Sequence, residues 1–387
     1  KFFRKCTDTH SRDHHQQGCA HKKPSIRVMI TRRRHCLLLS YMLIALHHRS
    51  LLVQSFNTIH KFHSLKSKRS IMSSLNVVNG VNGEAVVNGI NGSHETIRKE
   101  MTSGEKYLFD LNGYIIVKNV LNKSEIQSAN EAINQHEHEM IQRSIPELRN
   151  AKKGTKMYGS GPSRKDLGGI LEWPNDESNV FKSILAHSKL LPYYHTLLGK
   201  GYRMDHLPFL IAQDVGAEGF QLHGGTVDCE SGRYNPHLAY NCFRDTLHCA
   251  LLGVNVFLSD VNPGDGGFCI VPGSHKSNFA MPMEMIHGEA YNEFIVQPTI
   301  EAGDVVLFSE GTVHGSLPWN NPTTQRRSAL YRFAPATNAY GRSYFRHEEE
   351  DGLCRWPEAM YENLTDAQRA VLEPPYANRL DRPNIDE

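Results

Sequence analysis

Apolar positions along the chain change their spacing once, near residue 200. Before that point Ile126, Ala129, Ile133, Met140 and Ile141 in "NKSEIQSANEAINQHEHEMI" broadly follow helical spacing. Residues three and four apart share a helix face, so a helix is expected there, opened by a Ser124/Gln127 capping box. Just upstream, "LNGYIIVKNVL" (111–121) predicts a turn and a short β-branched strand. A second helical region, 178–198, is expected to be interrupted at Pro192, which lacks an amide donor. From "GYRMDHLPFLIAQDV" onward the apolar runs shorten to strand length: "CALLGVNVFLSDV" (249–261), "DVVLFSEG" (304–311) and "RRSALYRFAP" (326–335). Turn formers such as "NPGDGG" and "VPGSHK" separate them. Near the end, "NLTDAQRAVLEPP" offers a Thr365/Gln368 capping box and a helix stopped by Pro374. Helices followed by many short strands predict a mainly β fold with flanking helices, packed as a sandwich or barrel.

Charge divides the chain differently. Residues 1–71 carry 15 basic and 2 acidic side chains, a net of +13, whereas the remainder carries a net of −11. An acidic body argues against a nucleic-acid or anionic-membrane surface. The one apolar run of the basic stretch, "CLLLSYMLIAL" (36–46), has eleven residues. A membrane-spanning helix takes about 20. The stretch therefore reads as in-frame upstream sequence before a start at Met72, with a targeting leader as the alternative. Residues 76–93 repeat Val/Ile-Asn-Gly and read as a linker. The five body cysteines, Cys229, Cys242, Cys249, Cys269 and Cys354, are odd in number and form no C-x-x-C. Free thiols in a reducing compartment, cytoplasmic or organellar, are expected.

Two histidines stand out, His223 in "QLHGG" and His314, ninety-one residues later, in "TVHGSLPW". Non-haem iron oxygenases use two histidines and one carboxylate on one face, leaving positions open for co-substrate and oxygen. A His-x-Asp pair would supply two of these ligands from one strand, because residues i and i+2 point the same way. Here the third residue is Gly225. Taken singly, a histidine is more often structural than a ligand, and His206, His237 and His248 are assigned to structure. His275 in "PGSHK" is read as supporting the site rather than entering it.

Context sharpens the reading. The run from "HLPFLIAQDVGAEGFQLHGG" through "DVNPGDGGFCIVPGSHKSNF" to "AGDVVLFSEGTVHGSLPWNN" and "QRRSALYRF", with "GYIIVKNVLNKSEI" near the N-terminus, resembles the phytanoyl-CoA dioxygenase family. The resemblance covers about residues 105–345. It implies a double-stranded β-helix (jelly-roll, cupin-like) domain over residues 105–350, preceded by a leader and linker (1–104) and followed by a helical extension (351–387). It also implies Fe(II), 2-oxoglutarate as co-substrate, O2 and a small-molecule substrate, with no nucleic acid and no membrane span. By position, His223 and His314 become the iron ligands. Arg326 becomes the residue that pairs with the far carboxylate of 2-oxoglutarate, or Arg327 if the register shifts by one. Arginine suits that task because its fork pairs bidentately with a carboxylate. Gly225 departs from the family's His-x-Asp and leaves three readings open. The position is vacant, as in related halogenases; a carboxylate arrives from Glu310 or Asp228; or the fold persists as a cupin-like binding protein without turnover. The expected activity is hydroxylation of a small or acyl-type organic molecule.

Overall fold

Four strands of the molecule are buried at every position, which period-2 alternation alone would not produce. The computed structural model explains this by placing them between two cores; it describes residues 98–143, 151–341 and 356–375 and the backbone of Val86–Val87. The basic leader and the rest of the Asn-Gly linker lie outside the described residues. In chain order the strands are β1 (Val86–Val87), β2 (Tyr114–Val117), β3 (Ile141–Gln142), β4 (Lys165–Leu167), β5 (Arg203–Gln213), β6 (Phe220–His223) and β7 (Tyr240–Phe243). Then come β8 (Thr246–Cys249), β9 (Leu252–Phe257), β10 (Gly267–Ile270), β11 (Val305–Ser309), β12 (His314–Leu317) and β13 (Arg326–Ala334). The larger sheet runs β1-β2-β11-β9-β13-β5-β4-β3, the smaller β10-β12-β6, and β7 and β8 form a hairpin. The fold is a jelly roll of two mainly antiparallel sheets with flanking helices.

Alternation then sorts side chains between the cores. Ile115, Val117, Val305, Leu307, Tyr331 and Phe333 face the helices, whereas Tyr114, Ile116, Val306 and Phe308 join Phe257, Phe268 and Trp319 between the sheets. Both faces of β2, β9, β10 and β11 are buried, so these strands are mostly apolar on both faces instead of alternating. Trp356, Met360 and Val371, from beyond residue 350, pack into the helix-side core. No helix of the described residues is long and apolar enough to cross a membrane. Cys229, Cys242, Cys249 and Cys269 are free thiols; Cys354 lies outside the described residues.

The helices correct two expectations. Helix α1 (Ser103–Asn112) was not expected; Thr102 caps it and Glu105 returns a carboxylate to the Thr102 amide at 2.7 Å. Buried Glu105 also accepts from Arg98 at 2.7 Å and from the Tyr193 hydroxyl at 2.6 Å. Helix α2 (Lys123–Gln135) is opened by an Asn122/Glu125 box, two residues before the expected Ser124/Gln127 pair. Asn122 wins because its side-chain oxygen accepts from the amides of both Ser124 and Glu125, and the Ser124 hydroxyl donates to it as well. Helices α3 (Asn175–Ser183) and α4 (Leu191–Leu198) are separate, but Pro192 lies in the first turn of α4. There its missing amide costs nothing, so it starts a helix rather than interrupting one. Helices α5 (Met283–Ile286) and α6 (Asp366–Val371) complete the set, α6 with the expected Thr365/Gln368 box.

His136, at the end of α2, fastens α2 to α3. Its Nδ1 meets Glu139 at 2.8 Å and its Nε2 meets Glu177 at 2.7 Å, while the ring stacks on Trp173 at 4.2 Å. Burial alone would lower its pKa, but the two carboxylates outweigh burial and raise it above 6.5. A raised folded-state pKa means that this clamp is fully present below about 6.5 and fades as pH rises through the folded value. His136→Gln is therefore expected to cost about 1 kcal/mol at about pH 6 and less at about pH 9. Chemical denaturation of both proteins at the two pH values checks this; a gap that widens with pH contradicts it.

Candidate metal centre

Strands β6 and β12 pair antiparallel so that His223 lies directly opposite His314. Their ring centroids are 4.2 Å apart. Each ring is oriented by the carbonyl two residues before it: Nδ1 of His223 meets the Gln221 carbonyl at 3.1 Å, and Nδ1 of His314 meets the Thr312 carbonyl at 2.8 Å. A carbonyl only accepts, so Nδ1 carries the proton in each ring and Nε2 is left as the basic nitrogen. Burial, and for His223 also the neighbouring His314, keeps both rings neutral; His223 is pushed down to about 3 and His314 is lowered too. Neutral, oriented imidazoles are the form that binds a metal ion.

Two cavities meet at this pair. The inner one, about 140 Å³, lies between the sheets and is lined by His223, His314, Phe308, Asn255 and four arginines: Arg143, Arg164, Arg326 and Arg332. The outer one, about 420 Å³, is lined by Gln221, Gly225, Asn235, Met281, Met283, Ile286, Glu310 and Tyr340. His223 and Arg332 border both.

The neighbouring arginines Arg326 and Arg327 separate by strand alternation. Arg326 is 2% exposed and turns into the inner cavity, donating to Gln213 at 2.6 Å. Its Nε has no hydrogen-bond partner. Burial, followed by the nearby charge of Arg164, pushes its pKa down to about 9. Arg327 turns the other way, onto Gln325 and Asn130. Gly267 makes room for the inward guanidinium: a Cβ there would sit 2.8 Å from Arg326 Nε. A buried cation with an unused donor, beside a pair of neutral imidazoles, fits a carboxylate-bearing chelator of the same ion.

Glu310 brings a carboxylate up to the pair. It follows β11, is buried, and accepts from Arg332 Nε through Oε1 at 2.7 Å; its Oε2 lies 3.7 Å from His314 Nε2. Burial opposes its charge, but neighbouring positive charge, Arg332 foremost, outweighs burial and holds it at about 2. Arg332 escaped notice in the sequence, although stepping by two from Arg326 along β13 reaches it and puts both on the cavity side. Asp228 is drawn elsewhere, accepting from the amide and hydroxyl of Ser231 in an exposed turn. His275 does not reach the pair; its Nε2 meets the Asp110 carbonyl. It is Ser274 that supports the site, its hydroxyl accepting from the Val313 amide at 2.7 Å. Among the described residues, no three His, Cys, Asp or Glu side chains as they stand form a metal-holding group.

The expectation that residues 223 and 225 share a strand face does not hold. Strand β6 ends at His223, and Gly224 and Gly225 have φ of +86° and +91°. A Cβ on Gly225 would meet the Val313 side chain at 3.5 Å. Val313 packs with Leu222 in a separate apolar cluster, so the first carbon of a side chain at 225 would touch that cluster. Gly224 is tighter, since its Cβ would lie 2.7 Å from the Glu310 carbonyl and 2.8 Å from that of Thr312.

A family model for phytanoyl-CoA dioxygenase (PhyH) matches residues 109–329. Among solved structures, HygX from Streptomyces hygroscopicus, with nickel and 2-oxoglutarate bound, is 19% identical at a TM-score of 0.50, covering 62% of this chain and 90% of that one. EctD from S. alaskensis, with 2-oxoglutarate and 5-hydroxyectoine, is 19% identical at 0.45, covering 72% and 92%. The likeness to HygX is one of fold. No curated protein sequence matches the chain.

The two glycines are expected to differ in tolerance. Gly225→Ala meets only the conformational cost of positive φ, about 1–2 kcal/mol. Gly224→Ala adds the clash with two carbonyls and should lose about 3 kcal/mol or more. Thermal unfolding of both variants tests the ranking, and equal losses would mean that the close approach at Gly224 is not as described.

Proposed function

The chain belongs to the phytanoyl-CoA dioxygenase family of iron(II)- and 2-oxoglutarate-dependent oxygenases, and on that footing we propose that His223 and His314 hold the iron and Arg326 the far carboxylate of 2-oxoglutarate. The reaction we assign is hydroxylation of a small or acyl-type organic molecule. The observation that carries this reading is the cross-strand pair of neutral imidazoles, each oriented through Nδ1, beside a buried guanidinium in one cavity. When bound, iron(II) with 2-oxoglutarate and O2 would supply the oxidising power, 2-oxoglutarate leaving as succinate and CO2 with one oxygen atom of O2 in the succinate and the other in the product.

The chain's own residues do the rest. Gln213 fixes the Arg326 fork, so the co-substrate meets a donor already in place. The rings of Phe257, Phe268 and Phe308 close the space between the sheets and exclude water there. The outer cavity falls within the usual range for a small organic ligand. Because His223 borders both cavities, a substrate in the outer one lies against the metal side while the co-substrate occupies the inner one. Hydroxylation itself is the reading to be tested on product.

His223→Ala and His314→Ala are each expected to abolish iron(II) binding with the fold retained, read by anaerobic metal titration and circular dichroism. Retained stoichiometric iron at unchanged affinity would remove that histidine from the site. Arg326→Ala should raise the 2-oxoglutarate dissociation constant by about 10–100-fold, the scale of a lost charge-assisted pair. Arg327→Ala should leave it within about threefold. Calorimetry on the iron-loaded protein separates the two, and the reverse ranking would overturn the assignment.

A further inference from the structure

We propose that Glu310 supplies the carboxylate that Gly225 cannot, making the metal site a His223–His314–Glu310 set assembled from two strands and the turn between β11 and β12. This rests on the reading that His223 and His314 hold the metal. Three observations carry it. The backbone at Gly225 has left the strand with φ of +91°, and a side chain there would point at Val313. Position 225 itself, a glycine, offers no carboxylate. Glu310, in contrast, is a buried carboxylate whose Oε2 faces His314 Nε2 at 3.7 Å. Two donors on one ion at bond lengths of about 2.1 Å lie no more than about 4.2 Å apart, so this pair is within reach of a shared metal.

The third observation is how Glu310 is held. Its Oε1 accepts from Arg332 at 2.7 Å, which orients the carboxylate while Oε2 faces the imidazole. Metal-binding carboxylates are commonly held in this way through the second oxygen. The backbone that carries Glu310 is fixed too: its amide donates to the Leu251 carbonyl, and the Thr312 amide donates to that of Ser309. The Thr312 hydroxyl reaches the Gly113 carbonyl. Gly224 passes over the Glu310 and Thr312 carbonyls at a distance that leaves no room for a Cβ. The glycines after His223 thus let β6 run against the turn that brings Glu310 in, which ties the missing carboxylate at 225 to the one at 310. Arg332 is the positioning residue of the set, and the carboxylate closes on the ion when metal binds.

The test uses Co(II) as the probe on the full chain, without oxygen, reading affinity by chelator competition and geometry by the visible spectrum. Glu310→Gln keeps the shape and an acceptor for Arg332, so it should fold. It is expected to weaken Co(II) by about 10–100-fold and to change the spectrum, whereas Asp228→Asn leaves both unchanged. Wild-type affinity and spectrum in Glu310→Gln, with binding lost in His223→Ala, would overturn Glu310 while sparing the histidines. Binding undiminished in His223→Ala would overturn the underlying reading and this one with it. Should Glu310→Gln fail to fold, a Co(II)-loaded structure of the natural chain decides: an ion bonded to Glu310 supports the set, and an ion held by imidazoles and water alone overturns it.

Discussion

The pairing of β6 with β12 is the contact on which the site depends. It sets His223 opposite His314, and that register requires Gly224 to pass close over the turn carrying Glu310 and Thr312. The carbonyl of Thr312 in turn fixes the His314 ring. A shift of one residue in this ladder would send one imidazole to the opposite face. The minor sheet is therefore less a wall of the barrel than a jig for two rings, and the larger sheet, buried on both faces, holds it in place.

The larger sheet contributes the charge. Strand β13 sends Ala329, Tyr331 and Phe333 to the helix-side core and Arg326 and Arg332 toward the cavity. A cation as enclosed as Arg326 is costly unless paired, and among the described residues its fork donates to the neutral Gln213 side chain. Such a site favours an incoming anion. Arg332 is instead neutralised by Glu310, so the two arginines of one strand differ: one has no carboxylate partner among the described residues, the other holds a carboxylate beside the histidines.

Much of this was legible in the residues. The strand texture after residue 200 and the two motif histidines gave the barrel and the pair, because short apolar runs and turn formers are local signals. What could not be read depended on contacts distant in sequence or on φ. Whether Arg326 or Arg327 faces inward depends on the β13 register, which only pairing with β5 and β9 fixes. The assumption that residues 223 and 225 share a face failed because "HGG" does not reveal that the strand stops at His223. The capping box of α2 was placed two residues late because Asn122 and Ser124 are both competent caps, and Asn122 wins by accepting from the amides of Ser124 and Glu125. The Glu310–Arg332 pair joins residues 22 apart on different elements, and no local pattern announces it.

The central claim is that this chain binds iron(II) and 2-oxoglutarate together at the His223–His314 pair. Iron(II) chelated by a 2-oxo acid absorbs weakly in the visible, so the direct measurement is an anaerobic titration of the iron-loaded full chain with 2-oxoglutarate. A visible band that grows and saturates at about one equivalent is expected for a single chelating site. Iron bound at the pair and 2-oxoglutarate bound by calorimetry, with no band at any concentration, would show that the two do not meet and would contradict the account.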